Sequence, residues 1–165
     1  MKDKINIEVD ELSSLFVISI TDNAHNTYKY DIRQELIIDE HNLSKDLREQ
    51  PSKYMYWASI LEKARSYYEA SSIELERIYA KLYEPCRLKS VAQGVQRPTK
   101  DQINSLIIQE EEYIKAQDIN KNYEMYVKQL QYVVKAFESR KDMLIQLATD
   151  ERKQKEYESA INQNW

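Results

Sequence analysis

Glycine is all but missing. Gly94 is the only one in 165 residues, whereas a loop that cradles phosphate or a dinucleotide fingerprint needs two or three. Cys86 is also alone, which excludes an internal disulfide, and His25 and His41 are the only histidines, so no familiar zinc spacing exists. No run of about 18 apolar residues occurs, and no span of a membrane is expected. The opening MKDKINIEVDE turns acidic without an apolar signal core. The expectation is a soluble, cytoplasmic, non-enzymatic protein without metal or cofactor. With three prolines and 32% charged residues, the composition favours long helices.

Charge is uneven along the chain. Residues 1–50 hold 6 basic and 11 acidic side chains, residues 51–100 hold 9 and 5, and residues 101–165 hold 9 and 12. The interval 77–100 carries Arg77, Lys81, Arg87, Lys89, Arg97 and Lys100 against Glu84 alone. A mildly acidic protein with one basic segment can bind a polyanion, because local potential governs contact. The competing reading is a solvated connector whose charges serve solubility.

Residues 1–32 read as strands. Ile5, Ile7 and Val9 alternate with polar residues, Leu15–Ile20 is apolar and β-branched, and Tyr28, Tyr30 and Ile32 alternate again. Turn-forming residues fill Asp22–Asn26. An antiparallel meander follows, too small to be stable without packing on a helix or a second subunit. Residues 1–35 are therefore expected to be a β extension of a mainly α protein.

Pro51 suits the first turn of a helix, and a seam then runs through Tyr54, Leu61, Tyr68, Leu75 and Leu82, with Trp57, Ala64, Ser71 and Ile78 between them. Pro85 is expected to stop this helix, giving bounds of about 51–84. Residues 85–98, with Gly94 and two prolines, read as a connector. Thr99-Lys100-Asp101-Gln102 has the form of a capping box for a short helix of about 100–109. A long helix of about 110–158 follows, with a seam of Ala116, Tyr123, Leu130, Phe137 and Leu144 alternating with Ile119, Tyr126, Val133, Arg140 and Leu147. Residues 36–165 thus form a long antiparallel, coiled-coil-like helical hairpin. Arg140 interrupts the second seam. Either the seam shifts there or Arg140 meets a partner acid.

The chemistry-bearing residues are few. Tyr79 and Tyr83 interleave with Arg77, Lys81 and Arg87, and such mixtures suit single strands, cations following phosphates while bases stack on rings. Packing of Tyr79 beside the seam and of Tyr83 at the helix end is the alternative. Lys63 and Arg65, beside Tyr67 and Tyr68, extend a basic track or are simply solvated. Glu110-Glu111-Glu112 suits the start of a helix. Arg87 beside Cys86 favours a lowered thiol pKa, but no base partner is evident.

The order of residues carries a resemblance. Leu36-Ile37-Ile38-Asp39, Leu43 and then Tyr56-Trp57 heading a long helix resemble the start of phage recombination mediators of the UvsY type. Pro98-Thr99-Lys100-Asp101-Gln102-Ile103, Glu112-Tyr113 and Ala136-Phe137-Glu138-Ser139-Arg140-Lys141-Asp142-Met143-Leu144 are similar to related small helical phage proteins with an AFExRKxxLexL-like last helix. The similarity covers about residues 36–148 and leaves out residues 1–32. It implies an oligomeric binder of single-stranded DNA that helps displace single-strand-binding protein and load a RecA-like recombinase, in the host cytoplasm if phage-encoded. The family's basic, aromatic DNA-contact segment follows the first helix. Arg77, Lys81, Tyr83, Arg87 and Lys89 fall in that place, and Arg97 joins them as a candidate contact. The runner-up is a coiled-coil assembly or scaffold protein with no nucleic-acid role.

Overall fold

The computed structural model describes residues 4–9, 16–21 and 24–162. Leu15, Asp22 and Asn23, which figure in the strand reading, lie outside the described residues. The protein is mainly α, as the seams imply: long helices pack in antiparallel fashion beside a small antiparallel sheet. The chain divides into two compact units. One comprises residues up to Leu61 and from Gln129 onward, the other Glu62–Lys128.

The first unit begins with strands β1 (Lys4–Val9), β2 (Phe16–Thr21) and β3 (Thr27–Asp31), antiparallel in the order β1-β2-β3. The register pairs Ile18 with Tyr30 and Ile20 with Tyr28, placing these four on one face. Helix α1 (Ile32–Leu36) is capped by Asp31, whose carboxylate accepts the Arg33 amide at 2.9 Å. A 3₁₀ turn, Glu40–Asn42, then leads into α2 (Leu43–Ala92). The unit's core holds Ile18, Ile32, Leu43, Trp57 and Leu61, with Leu130, Val133, Phe137 and Leu144 from α4 (Glu111–Asn162). Trp57 is 1% exposed and stacks on Phe137 with ring centres 6.3 Å apart. Tyr30 from β3 meets the edge of Trp57 at 5.3 Å and accepts a 2.7 Å hydrogen bond from the Tyr56 hydroxyl. The sheet is therefore part of the unit that holds the start of α2.

The second unit contains the remainder of α2, helix α3 (Lys100–Ile107) and the start of α4. Cys86, Ile103 and Ile107 are its buried cluster, with Tyr79, Leu82, Tyr83, Leu106 and Tyr113 packed around them. The expected capping box of α3 is present: Thr99 Oγ1 accepts the Gln102 amide at 3.3 Å, and the Gln102 side chain accepts the Thr99 amide at 2.9 Å.

The bounds of the first long helix need correction at both ends. It starts at Leu43 rather than Pro51, because Leu43, Asp46 and Gln50 are buried and hold the additional turns. It passes through Pro85 and ends at Ala92. Proline at position 85 removes the amide that would bond the Lys81 carbonyl. Both residues are exposed, so water can satisfy that carbonyl. Cys86, the next residue, and Ser90, one turn beyond it, are buried, and burial outweighs the proline. The helix stops at Gly94 (φ 96°). The Val95 amide bonds the Ser90 carbonyl at 3.3 Å and the Gly94 amide bonds Val91 at 3.0 Å, the two bonds of a Schellman motif. The connector accordingly shrinks from 85–98 to residues 93–99, the short helix ends at Ile107, and the last helix spans Glu111–Asn162.

The expected seams are the covered faces of both helices. Every seam position of α2 is buried or half-buried, and the same holds for α4 except at Ile119, which is exposed.

Candidate nucleic-acid interface

The six candidate contacts all belong to the second unit, on the last four turns of α2 and in the connector that follows. Arg77, Lys81, Arg87 and Lys89 project into solvent, with side chains 42–71% exposed. Each has a carboxylate within reach. Arg77 pairs with Glu74 at 2.6 Å, one turn back on the same helix. Arg87 grips Glu84 with two bonds, Nε to Oε2 at 2.8 Å and Nη2 to Oε1 at 2.6 Å. That fork holds the Glu84 carboxyl below its usual range and raises Arg87 further.

Lys81 and Lys89 reach across to the start of α4. Lys81 Nζ lies 2.7 Å from Glu112 and Lys89 Nζ 3.1 Å from Glu110. The third acid, Glu111, turns away to Lys115 at 2.5 Å. The three consecutive acids, which suit a helix start, therefore divide their work: Glu112 and Glu110, the residue just before α4, pair with α2, and Glu111 serves its own helix. Their role was not evident in their spacing, which points three adjacent side chains around a helix. It depends on the antiparallel register, which brings residue 81 opposite residue 112.

Tyr83 is half-buried, packed against Cys86, Ile103 and Ile107, with its ring 6.3 Å from Tyr79. Tyr79 in turn bonds Asn104 of α3 and meets Tyr113 edge-on at 6.5 Å. The packing alternative thus describes most of both rings. Arg97 lies in the connector, exposed, with no charged partner among the described residues. The structure therefore does not gather the six residues into one uninterrupted basic surface. It arranges four exposed ion pairs, a partly covered ring and one solvated arginine around the α2–connector junction.

Cys86 departs from the sequence expectation. It is 2% exposed, and burial pushes its thiol up, with Glu110 adding to the effect and Lys89 opposing it. The neighbouring Arg87 is engaged with Glu84 and does not activate it.

No family model, curated protein or solved structure matches the chain. No helix of the described residues is long and apolar enough to cross a membrane.

Proposed function

We propose that this protein is a non-enzymatic, homo-oligomeric mediator of recombination: it binds single-stranded DNA and helps load a RecA-like recombinase where single-strand-binding protein already coats the strand. The observation that carries the reading is the solvent exposure of Arg77, Lys81, Arg87 and Lys89 within about three helical turns. Exposed ion pairs contribute little to stability, so a phosphate can replace a carboxylate at each cation at small cost. Arg97 adds a cation with no pair to break. The resemblance of residues 36–148 to UvsY-type mediators supplies the biological setting. Repetition of one modest basic patch around an oligomer would supply avidity.

The second reading is an assembly protein that ignores nucleic acid. It is favoured by the carboxylate beside each of the four cations and by the 11 basic and 11 acidic side chains of residues 62–128, which leave that unit without net charge. Fluorescence anisotropy of a labelled single-stranded oligonucleotide at low and moderate salt, with mass photometry on the same sample, separates the two. Phosphate neutralisation predicts affinity that falls steeply as salt rises, and R87E/K89E should lose most of it while remaining folded. A folded oligomer that leaves the strand free at low salt would overturn the mediator and favour the assembly protein.

A further inference from the structure

The outer side of α4 carries a charge pattern that the α2–connector junction lacks. α4 is one continuous helix, and its 3.6-residue period sets Lys121, Met125, Lys128, Tyr132, Lys135 and Ser139 in one line. All six are exposed, on the side of the helix away from the buried Leu130 and Phe137. No carboxylate stands in this line. The nearest acids of the helix, Asp118, Glu124 and Asp142, sit about 60° away around its axis. Two of them are already engaged, Glu124 with Lys128 at 2.6 Å and Asp142 with Lys141 at 3.3 Å. Lys121 and Lys135 have no charged partner among the described residues. Tyr132 is 74% exposed, the highest value among the exposed large apolar and aromatic side chains described. It lies four residues after Lys128 and three before Lys135, beside both on the helix surface.

We infer that this line is a contact surface for a single strand of nucleic acid. Its lysines repeat every seven residues, about 10.5 Å apart and about 21 Å from first to last at the rise of a helix. A straight file of cations matches a linear polyanion, and two of the three break no ion pair on meeting a phosphate. The ring between Lys128 and Lys135 is open to a base. Stacking of bases on rings, with cations alongside for the phosphates, is the chemistry of sequence-tolerant strand binding. A duplex keeps its bases stacked inside and cannot use the ring in this way. An anionic membrane fits less well, because the line sets single apolar side chains between charges, whereas insertion needs a broad apolar face.

This inference rests on the strand-binding part of the proposed function, and it adds a second surface. The test is anisotropy of a labelled single-stranded oligonucleotide over a salt series, with the full chain beside K121A/K135A, Y132A and R87E/K89E. Circular dichroism and mass photometry accompany each sample, and a duplex and anionic phospholipid vesicles are tested in parallel. K121A/K135A should weaken strand binding by about tenfold at low salt and flatten the logarithmic salt slope by about 1.4, two contacts at about 0.7 each. Y132A should weaken it by about tenfold at every salt concentration, leaving the slope and duplex binding unchanged. The substituted positions are exposed, so fold and oligomer mass should hold. Wild-type strand affinity in K121A/K135A and Y132A, with loss confined to R87E/K89E, would overturn this surface and leave the mediator reading standing. Equal losses on strand and duplex in Y132A, or a changed oligomer mass in K121A/K135A, would also overturn it. A wild type that leaves the strand free, or binds only the vesicles, would overturn both.

Discussion

Nη2 of Arg140 lies 3.0 Å from Oδ1 of Asp46, in a pocket that leaves the arginine side chain 2% exposed. Its other donors are also used. Nη1 bonds Gln50 Oε1 at 2.6 Å, Nη2 bonds the Ile37 carbonyl at 2.9 Å, and Nε reaches the Leu36 carbonyl at 3.3 Å. Gln50 is fixed in turn by donating to the Phe137 carbonyl at 2.7 Å, and Asp46 accepts the Asp39 amide at 2.7 Å. The sequence anomaly of a cation in an apolar seam thus resolves as a hub that ties α4 to the start of α2 and to the segment after α1.

Such a hub penalises removal of one partner more than it rewards the pair. Asp46→Ala leaves a buried guanidinium without its carboxylate, and the expected loss is about 3–5 kcal/mol in urea denaturation. Arg140→Ala should cost a similar amount, since Asp46, Gln50 and two carbonyls lose a donor together. The double variant should cost clearly less than the two singles added, because the residues share one network. Additive losses in that cycle would contradict a coupled hub.

The same carboxylate sets an acid limit. Burial alone would raise Asp46, but the Asp39 amide and the Arg140 guanidinium overcome it and hold the group below its ordinary value of 3.8. A folded value below the unfolded one means that the stabilisation is complete above about pH 4 and is lost as pH falls through the folded value. Chemical denaturation from pH 6 down to pH 2.5 should therefore show a fall in stability below pH 4. In Asp46→Asn that fall should be shallower. Parallel curves for the two proteins would show that other carboxylates govern acid unfolding.

Much of this fold can be read in the residues themselves. The seams announce themselves by spacing, Thr99 and Gln102 by the capping-box pattern, and Arg140 by its misfit among apolar neighbours. What escaped reading depends on contacts distant in sequence. Pro51 and Pro85 carry strong local signals for a helix start and stop, and tertiary burial of Leu43, Asp46, Cys86 and Ser90 overrides both. Gly94 was the better local signal for the end of α2, since a lone glycine beyond a helical run suits the left-handed position of a C-cap. Within the candidate interface, the cations were visible but their carboxylate partners were not, because Glu110 and Glu112 reach Lys89 and Lys81 only through the antiparallel register.

The course of α2 through Pro85 makes a prediction of its own. Alanine restores the missing amide and removes the ring from an exposed turn, so Pro85→Ala should stabilise the protein by up to about 3 kcal/mol. Helicity by circular dichroism should stay the same or rise slightly. Gly94→Ala should have the opposite sign, with a loss of about 1 kcal/mol, because the side chain meets no neighbour but must adopt a φ of 96°. A helix that ended before position 85 would make the proline replacement neutral and leave the glycine replacement without this penalty.

Cys86 should behave as a buried packing residue. Its thiol is raised by burial and covered by Ile103 and Ile107, so labelling by iodoacetamide at pH 8 should require opening of the second unit. Mass spectrometry should find it far slower in the native chain than in urea. Ile103→Ala removes buried volume beside the sulfur and costs about 2–5 kcal/mol, which should speed labelling by at least tenfold. Arg87→Glu discriminates the mechanism. If the arginine activated the thiol, reversing its charge would slow the reaction. Since Arg87 is held by Glu84 at 2.6 Å, the substitution should loosen the helix surface without slowing labelling.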